Sequence, residues 1–324
     1  MILTGDIGGT KTRLALWENK KLRKEERYAS KEYPDLFTII QDFLQKETVS
    51  LQAACFGIAG PVKDQVSHVT NLPWVVDAKS LSKKLQLSHV YLLNDLEANA
   101  YGIEFIPSNE TIVFQEGEKN EGNRALIAAG TGLGEAGLYW DGKMYRPFAC
   151  EGGHTDFGPR NEIEIDLLLF LRKKYSHVSY ERILSGSGIY ILYQFFLERE
   201  KAKELPEMQK QFKENDPAKV ISEHAENKSC PICVKAIELF SSIYGAEAGN
   251  LALKILSWGG LYIDGGIAPK IFRFVKKEIF LQSFLEKGRF AEMLSKFPVK
   301  LIINERTALL GSLGYALKKI NKEL

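Results

Sequence analysis

The chain has 324 residues, enough for a large buried core and, at about 100 to 200 residues per domain, for two domains. Hydrophobic residues make up 45% and charged residues 26%, an ordinary globular balance that excludes disordered and membrane-embedded classes. With 43 basic against 41 acidic residues there is no domain-scale basic excess, which argues against nucleic acid or an anionic membrane as partner.

Residues 2–6 read as a short apolar strand that runs into Gly8 and Gly9, and the chain resumes a strand at 13–17, so the opening is a glycine-rich hairpin. No charged leader with an apolar core precedes it, and no secretion is expected. A helix follows, with Leu36, Ile39, Ile40, Phe43 and Leu44 on one face, then a strand at 53–58 ending in Gly60-Pro61. Another strand, 90–93, carries Asn94 and Asp95 at its carboxyl end, where open α/β sheets keep their ligands. Near Pro107 the chain changes lobe. A second hairpin begins at 125–129, passes Gly130, Gly132 and Gly134, and returns at 138–140. The two hairpins rhyme, each second strand ending in Trp and an acid (Trp17-Glu18, Trp140-Asp141), as a duplicated nucleotide-binding unit would.

Helices dominate the second half, at 162–174, 189–203 and about 232–257. The last of these has small residues, among them Gly245 and Gly249, for close backbone packing, while Glu247, Asn250 and Lys254 interrupt it and exclude a membrane span. A strand at 261–264, a Gly265-Gly266 turn, a helix after Pro269, a strand at 299–303 and a closing helix at about 308–319 complete the order.

Three glycine clusters ask for a chemical reading: Gly5-Asp6-Ile7-Gly8-Gly9-Thr10, Gly130-Thr131-Gly132-Leu133-Gly134 and Gly265-Gly266. Glycine lets backbone amides approach phosphate, with no Cβ in the way. The first cluster nearly spells a Walker A loop before Lys11-Thr12, but Thr10 stands where glycine is required and the chain continues as strand, not helix. A Rossmann fingerprint fails for the same reason. What remains is a phosphate-cradling hairpin, against the plainer reading of a tight turn. Asp6 beside it either holds magnesium through water or caps the turn. Asn94 and Asp95 offer an amide and a carboxylate, or a helix cap. Glu151-Gly152-Gly153-His154 puts an acid and an imidazole around a flexible pair, a hydroxyl-reading loop. Glu181 lies in the first turn after Ser179, where a helix dipole alone favours an acid. Cys230-Pro231-Ile232-Cys233 lacks a second ligand pair at zinc spacing. The four cysteines, which also include Cys55 and Cys150, are too few for a disulfide framework and fit reduced thiols in a cytoplasm.

In this order, the motifs resemble the bacterial glucokinase family of the sugar kinase, actin and heat-shock chaperone ATPase superfamily. The resemblance spans almost the whole chain, through Arg13, Asp156-Phe157, Glu181-Arg182-Ile183-Leu184-Ser185-Gly186 and Lys287-Gly288-Arg289-Phe290 besides the motifs above. It implies an α/β fold of the two-lobed, actin-like (ribonuclease H-like) kind with an interlobe cleft. The small lobe would be residues 1–106 plus about 307–324, and the large lobe 107–306. By this resemblance Asp95 is the catalytic base, and Asn94, Glu151, His154 and Glu181 join it in holding the sugar hydroxyls. Gly5, Asp6, Gly8, Gly9 and Thr10, with Gly130, Thr131, Gly132 and Gly134, embrace the ATP phosphates. Gly265 and Gly266 lie against the adenosine, and Asp6 is the magnesium-associated aspartate. The product would be glucose 6-phosphate, made by a cytoplasmic homodimer. Two departures separate the chain from related sugar kinases and repressors: after His154 the next cysteine is Cys230, so their zinc motif is missing, and so is the repressors' N-terminal helix-turn-helix. Another hexose (fructose, mannose or an N-acetylated sugar), a donor such as ADP or polyphosphate, and a catalytically silent sugar-binding regulator are the alternatives. Intact Asp95 and both loops argue against the last.

Overall fold

The computed structural model describes residues 1–45, 47 and 49–321. Two compact units emerge, one of Met1–Glu110, Pro147–Ala149 and Asn304–Leu324, the other of Thr111–Arg146 and Cys150–Ile303.

The first unit is built on strands β1 (Ile2–Ile7), β2 (Lys11–Glu18), β3 (Lys21–Ala29) and β4 (Ala53–Ile58), with helix α1 (Leu36–Leu44) before β4. After β4 come three short strands, β5 (Val62–Lys63), β6 (Val66–His68) and β7 (Val75–Asp77), which form a small sheet of their own. Helix α2 (Ala78–Leu85), strand β8 (Val90–Asn94) and helix α3 (Asp95–Gly102) follow. The main sheet runs β3-β2-β1-β4-β8. β1 pairs antiparallel with β2 and parallel with β4, and β4 pairs parallel with β8. Helix α1 forms because Leu36, Ile39, Ile40 and Phe43 recur at helical spacing and Asp35 caps it, accepting from Thr38 N at 2.8 Å. Those four side chains are buried against Leu3, Leu14 and Phe56 of the sheet, where each large apolar side chain contributes about 1.5–3 kcal/mol.

The second unit opens with β9 (Thr111–Gln115), β10 (Arg124–Ala129), β11 (Leu133–Trp140) and β12 (Tyr145–Cys150). Helices α4 (Glu162–Arg172), α5 (Gly186–Arg199), α6 (Pro206–Glu214), α7 (Pro217–Glu226) and α8 (Pro231–Ile255) come next. Then follow β13 (Leu261–Asp264), α9 (Ala268–Ile271), α10 (Lys277–Leu285), α11 (Ala291–Ser295) and β14 (Val299–Ile302). The sheet order is β12-β11-β10-β13-β14-β9, with β10 antiparallel to β11 and parallel to β13. Its first five strands repeat the plan of the other unit, which gives the rhyme between the hairpins a structural counterpart. Close packing in α8 is real: a methyl group at Gly245 would lie 2.0 Å from Phe280 O, and one at Gly249 2.6 Å from Phe284 O, both on α10. Cys230 caps α8, its sulfur accepting from Cys233 N at 3.3 Å, and Cys233 packs on Met208 in the core.

Helix α12 (Thr307–Ile320) returns to the first unit, where Ala308, Leu309, Leu313 and Ala316 pack with Ile2, Trp17, Ala53 and Leu93. Among the described residues no helix is long and apolar enough to cross a membrane.

Candidate functional site

In the first unit the β1–β2 turn holds Gly8, Gly9 and Thr10. Gly8 N donates to Lys11 O at 3.0 Å, and a methyl group at Gly9 would lie 2.5 Å from Thr70 O, so only glycine fits there. Ser30, just after β3, bolts the turn in place: its hydroxyl donates to Gly8 O at 2.8 Å and its amide to Thr10 O at 3.1 Å. Gly5 lies one step back inside β1, opposite Leu14, where it makes room for Phe56. Asp6 pairs in register with Arg13 across the hairpin. Burial pushes the Asp6 carboxyl above its ordinary range, and the Arg13 guanidinium pulls the other way. Arg13 is itself held by Glu25, which also takes a 2.6 Å bond from Arg306 Nε.

Asn94 ends β8 and caps α3. Its Oδ1 accepts from Leu96 N at 3.0 Å and Glu97 N at 3.3 Å, and its Nδ2 donates to Gly60 O at 3.1 Å. The capping role thus belongs to Asn94. Asp95, beside it, is the first residue of α3, its Oδ1 accepting from Leu96 N at 2.9 Å, at a helix end that favours negative charge. The start of α3 is seated on β4 because Gly57 leaves space for Ala98.

In the second unit the β10–β11 turn contains Gly130, Thr131 and Gly132, while Gly134 lies inside β11 opposite Ala128. No atom would meet a methyl group within 4 Å at Gly130, nor at Gly266, so both backbones face open space. Gly265, with φ of 89°, is pressed on Ala129 O, and its amide donates to Asp264 Oδ1 at 2.8 Å.

Glu181 reaches this turn from the short helix Tyr180–Arg182. Its Oε2 accepts from Leu133 N at 3.0 Å, and its Oε1 lies 3.6 Å from His154 Nδ1. His154 ends the turn Gly152–His154 that follows Glu151, closed by His154 N donating to Glu151 O at 3.0 Å and Thr155 N to Gly152 O at 3.0 Å. The turn sits flat on β11: a methyl group at Gly153 would lie 2.1 Å from Leu133 O. His154, Glu181 and the β10–β11 turn therefore meet in one place, with Glu151 at the head of the turn that carries His154, a set of acceptors and a ring nitrogen suited to reading hydroxyls.

Sequence reasoning missed Ser30, Glu25 and Glu135, the last a buried acid of β11 beneath this turn. Nothing in local spacing marks the first two, but an acid inside the apolar run Leu133–Trp140 was a signal. Among the described residues no group of three or more His, Cys, Asp or Glu is placed to hold a metal.

The glucokinase family model matches residues 3–319. A glucokinase of Nostoc sp. is 41% identical over 96% of this chain and 97% of its own. The crystal structure of a glucokinase from an Antarctic psychrotroph superposes with a TM-score of 0.85 at 28% identity, covering 98% of both chains. A ROK family glucokinase from Streptomyces griseus, solved with glucose and AMPPNP, has the same fold at a TM-score of 0.67 and 19% identity, covering 98% of this chain and 99% of that one. The fold is the two-lobed, actin-like one of these kinases.

Proposed function

Because the chain belongs to the glucokinase family, we propose that it moves the γ-phosphoryl group of ATP to the 6-hydroxyl of glucose, with Asp95 receiving the hydroxyl proton. The chain is an ATP-dependent sugar kinase acting on glucose. The observation that carries the finer reading is the convergence of Glu181 with His154 and the β10–β11 turn, which holds a carboxylate and an imidazole 3.6 Å apart over a glycine-lined backbone.

Glu151, His154 and Glu181 bind sugar hydroxyls, and Asn94 fixes the start of α3 through its cap, so that Asp95 presents its carboxylate from a rigid helix terminus. Phosphoryl transfer depends mostly on positioning and charge stabilisation, so the backbone of Gly8–Thr10 and of Gly130–Gly132 follows the ATP phosphates. Gly265 and Gly266 flank the adenosine, where the open side of Gly266 admits a flat ring. Magnesium suits Asp6: a partly desolvated carboxylate gains from a cation, and magnesium is held by one or two carboxylates plus phosphate oxygens. Bound there, the ion would neutralise phosphate charge. The reading includes a homodimer in the cytoplasm, which sedimentation at micromolar concentration and cell fractionation test.

The deciding assay is a coupled measurement across glucose, mannose, fructose and N-acetylglucosamine, each with ATP, ADP and polyphosphate. A site built to bond hydroxyls leaves buried polar groups unpaired when one is misplaced, so glucose with ATP should exceed mannose with ATP by at least about tenfold in kcat/KM. Equal efficiency for the two sugars would sink the assignment of Glu151, His154 and Glu181.

A further inference from the structure

Beneath the turn Gly152–His154 lies a pair of acids that the reaction does not use. Glu135 of β11 is 1% exposed and Glu247 of α8 is 0% exposed. The two carboxyl groups are hydrogen-bond neighbours. Glu247 is well provided with donors: Asn250 Nδ2 at 2.8 Å on Oε2 and Lys254 Nζ at 3.5 Å on Oε1. Glu135 is not, for its Oε1 is buried with no hydrogen-bond partner. Two ionised carboxylates in one dry site repel, and neither can donate to the other. A single proton on Glu135 resolves both problems, since the neutral acid donates to Glu247 and needs no donor of its own.

The pair is coupled to the turn by contact. A methyl group at Gly152 would lie 1.8 Å from Glu135 Oε2 and 2.7 Å from its Cδ, so the backbone of the turn rests directly on this carboxyl. The Cys150 thiol donates to Glu135 O at 3.5 Å, tying the strand before the turn to the same residue. From Glu247 the connection continues through Asn250, whose Nδ2 donates to Tyr180 OH at 3.1 Å, and Tyr180 precedes Glu181. Tyr180 N in turn donates to Thr155 O at 3.2 Å, just past His154. Both sides of the hydroxyl-reading cluster thus rest on one acid pair.

We infer that Glu135, bonded as a neutral acid to Glu247, is a positioning residue for glucose: it forms the floor on which Gly152 and Gly153 sit and so fixes Glu151 and His154. The inference rests on the reading of Glu151, His154 and Glu181 as the sugar site. Ionisation of Glu135 would demand water where the turn lies, and hydrating it lifts the turn. The charged and titratable groups facing Glu135 are Glu247 and Lys254 of α8, Tyr244 of the same helix and Cys150 of β12; Tyr180 and Lys287 face Glu247 from the other side. Burial first, and the Glu247 carboxylate second, push Glu135 up to about 8 against the pull of Lys254. The protein is therefore sugar-competent at neutral pH and loses competence above it.

The test is the pH profile of KM for glucose at saturating ATP in wild type, Glu135→Gln and Glu247→Gln, with folding followed by thermal melts. If only the protonated form seats the turn, apparent affinity scales with that fraction, and wild-type KM should rise about tenfold from pH 7 to pH 9. Glutamine at 135 cannot ionise, so its profile should be flat over that range; glutamine at 247 removes the like charge but not the burial, so its rise should begin at a lower pH than in wild type. Calorimetry in buffers of different ionisation enthalpy near pH 8.5 should show glucose binding take up about three-quarters of a proton in wild type and none in Glu135→Gln. A flat wild-type profile, or parallel rises in wild type and folded Glu135→Gln, overturns the inference. A parallel set with Glu181→Gln separates the two claims. If Glu181→Gln leaves glucose KM unchanged, the sugar site and its floor both fall. If it weakens glucose while Glu135→Gln tracks wild type, the floor alone falls.

Discussion

The two units share a strand plan, β3-β2-β1-β4-β8 and β12-β11-β10-β13-β14, yet each treats an acid of its hairpin, half-buried in one and fully buried in the other, in the opposite way. On β1, Asp6 faces Arg13, and the countercharge opposes the upward push of burial. On β11, Glu135 faces Glu247, and the like charge adds to it. Burial raises both carboxyls, but the neighbour decides whether the site gains most from a cation or from a proton. The shared strand plan thus yields one acid proposed to meet metal and phosphate and another proposed to hold a neutral turn. Chemistry follows from what is placed across from each strand, not from the strand plan.

The largest effect that can break this comparison concerns the end of β8, where the first unit carries the proposed base. Asp95→Asn keeps the shape at the start of α3 and removes the basic carboxylate. General-base catalysis contributes about 10² to 10⁴ in rate, so turnover should fall by at least about a hundredfold while calorimetry still detects glucose binding. Near-wild-type turnover of the folded variant would falsify the catalytic role and leave Asp95 a helix-start residue beside its capping neighbour.

A smaller contrast lies in the hairpin turns. Gly9→Ala drives a methyl group to 2.5 Å from the Thr70 carbonyl, a backbone atom that cannot swing away, whereas Gly130→Ala points into open space. Gly9→Ala should cost about 1–3 kcal/mol of stability, read by denaturant unfolding. Gly130→Ala should unfold like wild type yet raise KM for ATP, because the space it fills is where the proposed reading brings phosphate. An unchanged KM for ATP in Gly130→Ala would remove the second turn from the nucleotide site.

The smallest effect is a slope. With a folded-state value of about 8 against an ordinary carboxyl of 4.5, Glu135 holds a proton in the folded chain that the unfolded chain releases between those limits. Its stabilising contribution is complete below pH 4.5 and is lost as pH rises through about 8. Glu135→Gln should flatten that part of the stability curve. A slope identical to wild type between pH 5 and 8 would show that Glu135 is ionised in the folded protein.

Much of the fold was legible because burial leaves a periodic trace. The apolar runs of β1, β4 and β10 and the one-sided face of α1 announced themselves, and the structure extends only β1 and β10, by one residue each. β3 left no such trace: Lys21–Ala29 is mostly exposed and polar, and its strand character comes from pairing with β2, which sequence alone does not record. Helix α6 is similar, with Met208 its one buried residue. The second hairpin strand was read from residue 138, but it begins at Leu133, because two glycines and a glutamate masked its start. In the site, glycines and polar residues at strand ends stood out by type. The Glu135–Glu247 pair did not, since its members lie on a strand and a distant helix and only tertiary packing joins them. Glu247 reads locally as a break in an apolar helix, and its partner is what gives it a purpose.

Helix α12 has a consequence for the order in which the molecule can be made. A methyl group at Gly311 would lie 1.8 Å from Ala98 O, and one at Gly102 2.1 Å from Thr307 O, so α12 and α3 touch backbone to backbone. Asp95 stands at the first turn of α3. During synthesis from the amino terminus, β1, β4 and β8 leave the ribosome long before Leu309, Leu313 and Ala316 are available to cover them. The sheet of the first unit therefore waits with one face only partly covered, by α3, while the second unit is translated. A nascent chain can finish the turn Gly152–His154 before α12 is there to brace α3, whose first turn carries the proposed base.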